Sequence, residues 1–304
     1  MSEQASQTRP VNGQNLTLLV ILPLIWALHF AFIKKIDADA NVIAALTALL
    51  GGLCGFYFLA LVIRRELFAF SRKRLVFFTI AGLLAYVLPL AAELLVAPRI
   101  DAGVLTMIVS LTPVFTVAVA VAMRLVKPVL RLLLSIAVGA GGIVLLLLDA
   151  DPEQASPMIW IIVACTVPFF YAIDALYIEH FWPNGLNALQ LAFGETLIAF
   201  AIMMVVFMGN GGAVSELVGW FYMKDFLILC LVTTIEVALF FYLVGQVGAL
   251  IVNIASYLVL PAGFFWGWLM FDEVINLASF ACGICALMAL LLVSSGSRKA
   301  PQVA

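Results

Sequence analysis

The stretches AGVLTMIVSLTPVFTVAVAVAM (residues 102–123) and GALIVNIASYLVLPAGFFWGWLM (residues 248–270) decide how this chain folds. Each has the length of a membrane-crossing helix, each is rich in small residues, and each carries one proline, Pro113 or Pro261. A helix needs about 20 apolar residues to cross the hydrocarbon layer. A proline inside it removes one backbone donor and frees a carbonyl one turn upstream, so both spans are expected to bend. With the prolines in register the two halves lie 148 positions apart, Arg124 falls on Asp272, and Ser135 falls on Gly283. Five spans can be read in each half, and an odd number turns the second copy over in the membrane. That is the plan of a carrier working by alternating access.

The rest of the chain agrees with this reading. It is 65% hydrophobic and 11% charged, with a mean hydropathy of +1.20, whereas a soluble domain is roughly 45–50% apolar and about 25% charged. Ten apolar stretches are expected to span, near 16–33, 40–63, 75–97, 102–123, 130–148, 158–178, 186–208, 224–244, 248–270 and 275–294. Barrel strands would be shorter and half polar. The expected fold is an all-α integral membrane protein, with ten transmembrane helices as two inverted five-helix repeats. The organisation follows: a tail at 1–15, a first repeat at 16–150, a second at 158–295, and a tail at 296–304. No small-residue cleavage site follows the first span, so it is expected to remain as an uncleaved signal.

Lysine and arginine set the orientation. With the N-terminus inside, the inner segments hold Arg9, Arg64, Arg65, Arg72, Lys73, Arg74, Arg124, Lys127, Arg131, Arg298 and Lys299, against Lys34, Lys35, Arg99 and Lys224 outside. Positive charge favours the cytoplasmic side, so both termini are expected there, in a multi-pass protein of a bacterial inner membrane. The outer linkers are acidic instead, at Asp149, Asp151, Glu153, Asp272 and Glu273.

The spans LPLIWALHFAFIKK (22–35), IVSLTPVFTVAVAVAM (108–123) and YLVLPAGFFWGWLMFDEV (257–274) resemble the EamA family of the drug/metabolite transporter superfamily. The resemblance extends over nearly the whole chain. It departs from the family pattern at Trp26, which is followed by Ala27 rather than glycine. The turn MRLVKP lacks a glutamate, and span two lacks an arginine. The resemblance implies two five-helix repeats and a central cavity walled by most helices, with the fifth, seventh and tenth peripheral. It also implies a carrier, often an exporter of amino acids or related metabolites.

Four acids interrupt the spans, Glu93, Asp174, Glu195 and Glu236, together with His29. A charge at the helix centre costs roughly 2.5–3.5 kcal/mol on insertion scales, so such groups are expected to face a protected interior. No Lys or Arg lies deep enough to pair with the acids. Glu236, one turn after Thr233, is the leading candidate for proton coupling or for binding an ammonium group. Glu93 shares a face with Tyr86 as cavity wall. Asp174, one turn after Tyr171, is expected to be solvated near the inner end, and Glu195 to make structural hydrogen bonds. His29 lies one turn after Trp26; it suits a charge switch near neutral pH, and Trp26 a stacking surface, although both also suit an interfacial anchor. Asn253, Ser256 and Tyr257 precede Pro261, as Thr106 and Ser110 precede Pro113; matched proline spans of this kind point to a binding site. Pro23, Pro113, Pro168 and Pro261 are the expected hinges.

Other chemistries find little support. Cys282-x-x-Cys285 reads as packing within a span, because no histidine or acid lies nearby. No nucleotide-binding motif occurs, so no cofactor or metal is expected. An intramembrane enzyme would need a nucleophile–base set, and His29 and His180 sit on different spans at different depths. No catalytic residue is assigned. A receptor or assembly factor would need more than short loops. Expected partners are the lipid bilayer and a small-molecule substrate, not nucleic acid, for a monomer or homodimer.

Overall fold

The computed structural model describes residues 13–37, 39–124, 127, 129–149, 155–247, 252 and 258–297. All regular structure among them is helical. Helix α1 (Gly13–Lys34) runs unbroken through Pro23, and α2 (Val42–Arg64) starts where the Asn41 side chain accepts from the amides of Ile43 and Ala44. The third crossing is composite: α3 (Arg72–Gly82), a π-helical turn (Leu83–Val87), α4 (Leu88–Val96) and a 3-10 turn (Ala97–Arg99). The fourth divides into α5 (Ala102–Ser110) and α6 (Thr112–Ala122), and α7 (Leu130–Asp149) follows. The sixth divides into α8 (Ala155–Ala164) and α9 (Thr166–Phe181). Helix α10 (Ala188–Gly209) opens on a capping box between Asn187 and Gln190, and a short α11 (Val214–Trp220) leads to α12 (Lys224–Val247). Helices α13 (Val259–Phe271) and α14 (Leu277–Ser297) complete the described chain.

Among the described residues, seven helical stretches are long and apolar enough to cross a membrane, and three shorter apolar ones lie at Leu133–Leu145, Val259–Phe271 and Leu277–Ala289. The expected ninth span is described only at Val252 and from Leu258 onward, so Asn253, Ser256 and Tyr257 lie outside the described residues. The distribution of polarity is that of a protein dissolved in lipid. Leu16, Phe58, Ile63, Val205 and Leu291 are exposed, while His29, Glu93, Thr106, Glu195, Thr196 and Glu236 are buried. In water such a surface would be an aggregation patch. In hydrocarbon it is the natural exterior.

The prolines act where the helix path changes, with one exception. Leu111 has ψ of 1° and Cys165 has ψ of −17°, well off the helical value near −42°; Pro113 and Pro168 follow each break. Leu258, before Pro261, has ψ of −12°. Pro23 produces no break. Pro89 enters α4 directly after the π turn, an interruption that the sequence reading did not single out. Arg124 and Asp272 both take left-handed backbone, with φ of 60° and 53°. These are the two residues brought together by registering Pro113 on Pro261, and each ends a proline-bearing crossing.

Packing pairs α2 with α10, α5 with α13, and α7 with α14, while α1 lies on α12 and α13 and α9 lies on α4 and α6. The α5–α13 crossing depends on glycine. A Cβ added at Gly263 would meet the Thr106 side chain at 2.5 Å, and one added at Gly103 would meet the Phe264 ring at 2.7 Å. Helices approach this closely only over small residues. The α7–α14 contact includes Cys282 and Cys285, which lie against Gly142.

Candidate functional site

His29 is the centre of the buried polar network. It is 3% exposed, and the alternation of α1 between lipid and protein aims its ring at α4 and α12. Nε2 lies 3.1 Å from Glu93 Oε2, and Nδ1 lies 2.8 Å from Thr233 Oγ1 and 3.2 Å from Glu236 Oε1. The second oxygen of Glu93 accepts from the Tyr171 hydroxyl of α9 at 3.0 Å. Four crossings, α1, α4, α9 and α12, therefore meet at one imidazole. An imidazolium can donate to a carboxylate from each ring nitrogen, whereas a neutral ring has one N–H and leaves the other nitrogen facing an oxygen. The arrangement brings three ionisable groups into one cluster, so a change of charge at one is felt by the others. Glu236 keeps Oε2 without a hydrogen-bond partner.

This geometry supplies what the sequence reading lacked. The acids have no Lys or Arg, but two of them share His29, and His29 is a buried hub rather than an interfacial anchor. Trp26, one turn earlier, packs its ring 5.7 Å from Phe240, one turn beyond Glu236 on α12. Tyr86 is buried on the π turn. Thr106 and Ser110 are buried, and their hydroxyls bond backward to Ala102 and Met107 carbonyls at 2.7 Å each. Thr106 packs on Gly263 at the α5–α13 crossing, and neither residue makes a described bond to the His29 group.

Two further acids differ from expectation. Glu195, on α10, is fully buried and neither of its oxygens has a hydrogen-bond partner. Helix α10 is not peripheral, because it packs on α2, α3 and α12. Asp174, on α9, is 8% exposed rather than solvated, and its Oδ1 is also unpartnered. The two are within electrostatic reach of each other. Tyr57, which donates to the Thr234 carbonyl at 3.1 Å, lies within such reach of both Glu195 and Glu236. Tyr57 was not singled out from sequence; a tyrosine inside a span was its only signal.

At one end of the bundle Glu273 ties three connections together. Its Oε1 accepts from Lys34 Nζ at 2.5 Å and from the Ala102 amide at 2.9 Å, and Oε2 accepts from the Gly103 amide at 3.3 Å. A carboxylate on the amides that open α5 is favoured by the helix dipole. Lys34 also donates to the Ile100 carbonyl and lies 3.7 Å from Asp101. Burial and the nearby Glu273 raise the Asp101 carboxyl above its usual range, against the pull of Lys34. Asn41–Glu216 and Lys35–Asp225 contacts join connections expected on this same side. On the other side Glu66 meets Asn187 and Gln190.

Comparison with known proteins finds a family match in the first half of the chain. Residues 15–148 match the EamA-like transporter family, part of the drug/metabolite transporter superfamily. No curated protein matches the chain. A solved structure described only as a crystal structure of a protein is similar over 96% of this chain and 99% of its own, with a TM-score of 0.58 and 14% identity. At that identity the likeness concerns the fold alone.

Proposed function

We propose, from the EamA-like transporter domain at residues 15–148, that this chain is a secondary active transporter with ten membrane helices in two inverted five-helix repeats. The packing supports the repeat reading. Exchanging the halves returns the pairs α2–α10, α5–α13 and α7–α14 to themselves and converts α1–α12 into the contact of α9 with α4. The left-handed residues Arg124 and Asp272 occupy equivalent places in this scheme. The excess of lysine and arginine on one set of connections supports an inner-membrane protein with both termini cytoplasmic.

The observation that carries the function is the His29 ring held between Glu93 and Glu236. Ionisable groups at membrane depth are expensive and mark solute or proton pathways. An organic ammonium entering beside these carboxylates would compete with the proton that His29 shares with them. Substrate entry would release that proton, and substrate exit would readmit it. The substrate class that fits is a small metabolite with an amine, such as an amino acid, moved outward in exchange for a proton. Alternating access is provided at the proline breaks by Leu111 and Cys165, and the Glu273–Lys34 clasp closes the outer end.

The test uses full-length protein in vesicles containing a pH-sensitive dye and a panel of amino acids and amines. Wild-type protein is expected to move protons when a transported solute is added. Glu236→Gln is expected to lose proton-coupled flux by roughly tenfold or more, which corresponds to about 1.4 kcal/mol or more. Unchanged pH dependence in Glu236→Gln would remove this residue from the coupling centre.

A further inference from the structure

We propose that Asp174 and Glu195 form a second buried proton-binding site, separate from the His29 centre, which exchanges its proton with water by way of the Phe77–Tyr177 cleft. Its purpose rests on the transporter reading, but its chemistry does not. Glu195 is 0% exposed with both carboxylate oxygens unpartnered, and Asp174 Oδ1 is likewise buried and unpartnered. No described Lys, Arg or His makes an ion pair with either acid. Two ionised carboxylates in an apolar interior repel each other and lose their hydration, so at least one must carry a proton. An unpartnered acid that holds a proton has no fixed acceptor to lock it, and it becomes exchangeable when water arrives.

The surroundings are built of tyrosine. Tyr57 on α2, Tyr86 on the π turn, and Tyr177 on α9 each lie within electrostatic reach of Glu195. Tyr86, Tyr171 and Tyr177 lie within such reach of Asp174. Tyr57 is also within such reach of Glu236, and Tyr171 bonds to Glu93, so tyrosines adjoin both groups of acids. Helix α3 comes close beside this site, because a Cβ at Gly82 would meet the Glu195 carbonyl at 2.9 Å. The π turn begins one residue later. Single π turns inside helices recur at functional sites, and this one sets Tyr86 beside the acids.

A cleft reaches Tyr177, one helical turn from Asp174. Phe77 and Tyr177 stack with centroids 5.3 Å apart and wall a cleft of about 410 Å³, rimmed by Arg72 and Lys73. Tyr177 lies one turn after Asp174 on the same face of α9. Parting of that aromatic pair would hydrate Asp174 first and Glu195 behind it. The proton balance is simple: the pair carries one negative charge when it holds one proton, and two after releasing it to water at the cleft. The doubly charged state is tolerable only while hydrated, so proton exchange is tied to an open conformation.

The test is infrared difference spectroscopy on full-length protein in phosphatidylethanolamine–phosphatidylglycerol vesicles, stepped between acidic and alkaline pH, with the proton itself as probe. Wild type is expected to show a protonated-carboxyl band that falls with rising pH. Asp174→Asn with Glu195→Gln is expected to lose one titrating proton per chain from that signal, and His29→Gln to retain it. Both amide substitutions preserve shape; if the double variant does not fold, Glu195→Gln alone serves, with gel filtration as the folding check. A carboxyl signal unaltered by these variants, or independent of pH in wild type, overturns the proposal. So does its disappearance in His29→Gln, because the acids would then not be separate. Failure of any solute to move in the dye assay leaves this signal intact and counts against the transporter reading instead.

Discussion

Each nitrogen of one imidazole meets a carboxylate from a different helix, and that makes His29 both a structural tie and a chemical one. Leaving a buried charged partner unpaired costs about 3–5 kcal/mol, so His29→Ala is expected to lower thermal stability in detergent far more than Glu236→Gln. Tyr171→Phe removes one donor to Glu93, and we predict a loss of about 1–3 kcal/mol, measured as a fall in the melting midpoint. At Asp101 the sign runs the other way. Its folded-state value is raised above 3.8 by burial and Glu273, so its stabilising contribution is complete below that pH and is lost as pH rises through the folded value. Asp101→Asn is therefore expected to melt no lower than wild type at neutral pH, with the difference vanishing in acid. The side chain is 59% exposed, and solvent screening keeps this effect small. The residue types of this network were legible in the sequence, because charge inside an apolar run stands out. Their partnership was not: His29 and Glu93 are 64 positions apart and His29 and Thr233 are 204 apart, and helical periodicity reports only neighbours within one helix.

The elements divide into straight helices and interrupted ones; His29 and Glu236 sit on straight helices, Glu93 and Tyr171 on interrupted crossings. Pro113 and Pro168 were readable because a proline inside an apolar run has a fixed mechanical consequence. The continuity of α1 through Pro23 and the π turn before Pro89 were not, since packing decides whether a freed carbonyl bends a helix or is absorbed. The α5–α13 crossing tolerates no side chain at Gly263. We predict that Gly263→Val destabilises by about 1–3 kcal/mol through overpacking against Thr106, seen as a lowered melting midpoint, while Gly55→Ala, with open space around it, leaves the midpoint near wild type. The clasp at Glu273 joins α1, α5 and the connection before α14. Glu273→Ala is expected to raise thiol labelling of a cysteine placed at Ser279, which is buried beside Glu273. Equal labelling with and without Glu273 would show that this contact does not close the outer end.

At the scale of the whole molecule, a greasy exterior encloses a mainly apolar core, and both halves of the chain contribute the few buried charged groups within it. Composition made the membrane environment legible, and the proline register made the pairing of Arg124 with Asp272 legible before their shared backbone conformation was seen. The assembly of α1, α4, α9 and α12 around one histidine depends on helix packing across the two halves, which no local pattern encodes. We propose proton-coupled transport centred on His29, Glu93 and Glu236. Its most direct measurement is proton movement in dye-loaded vesicles when amino acids and amines are added to wild-type and Glu236→Gln protein. We predict solute-dependent, saturable proton flux in wild type and its loss in Glu236→Gln. Identical flux in the two proteins, or none with any solute of the panel, would contradict it.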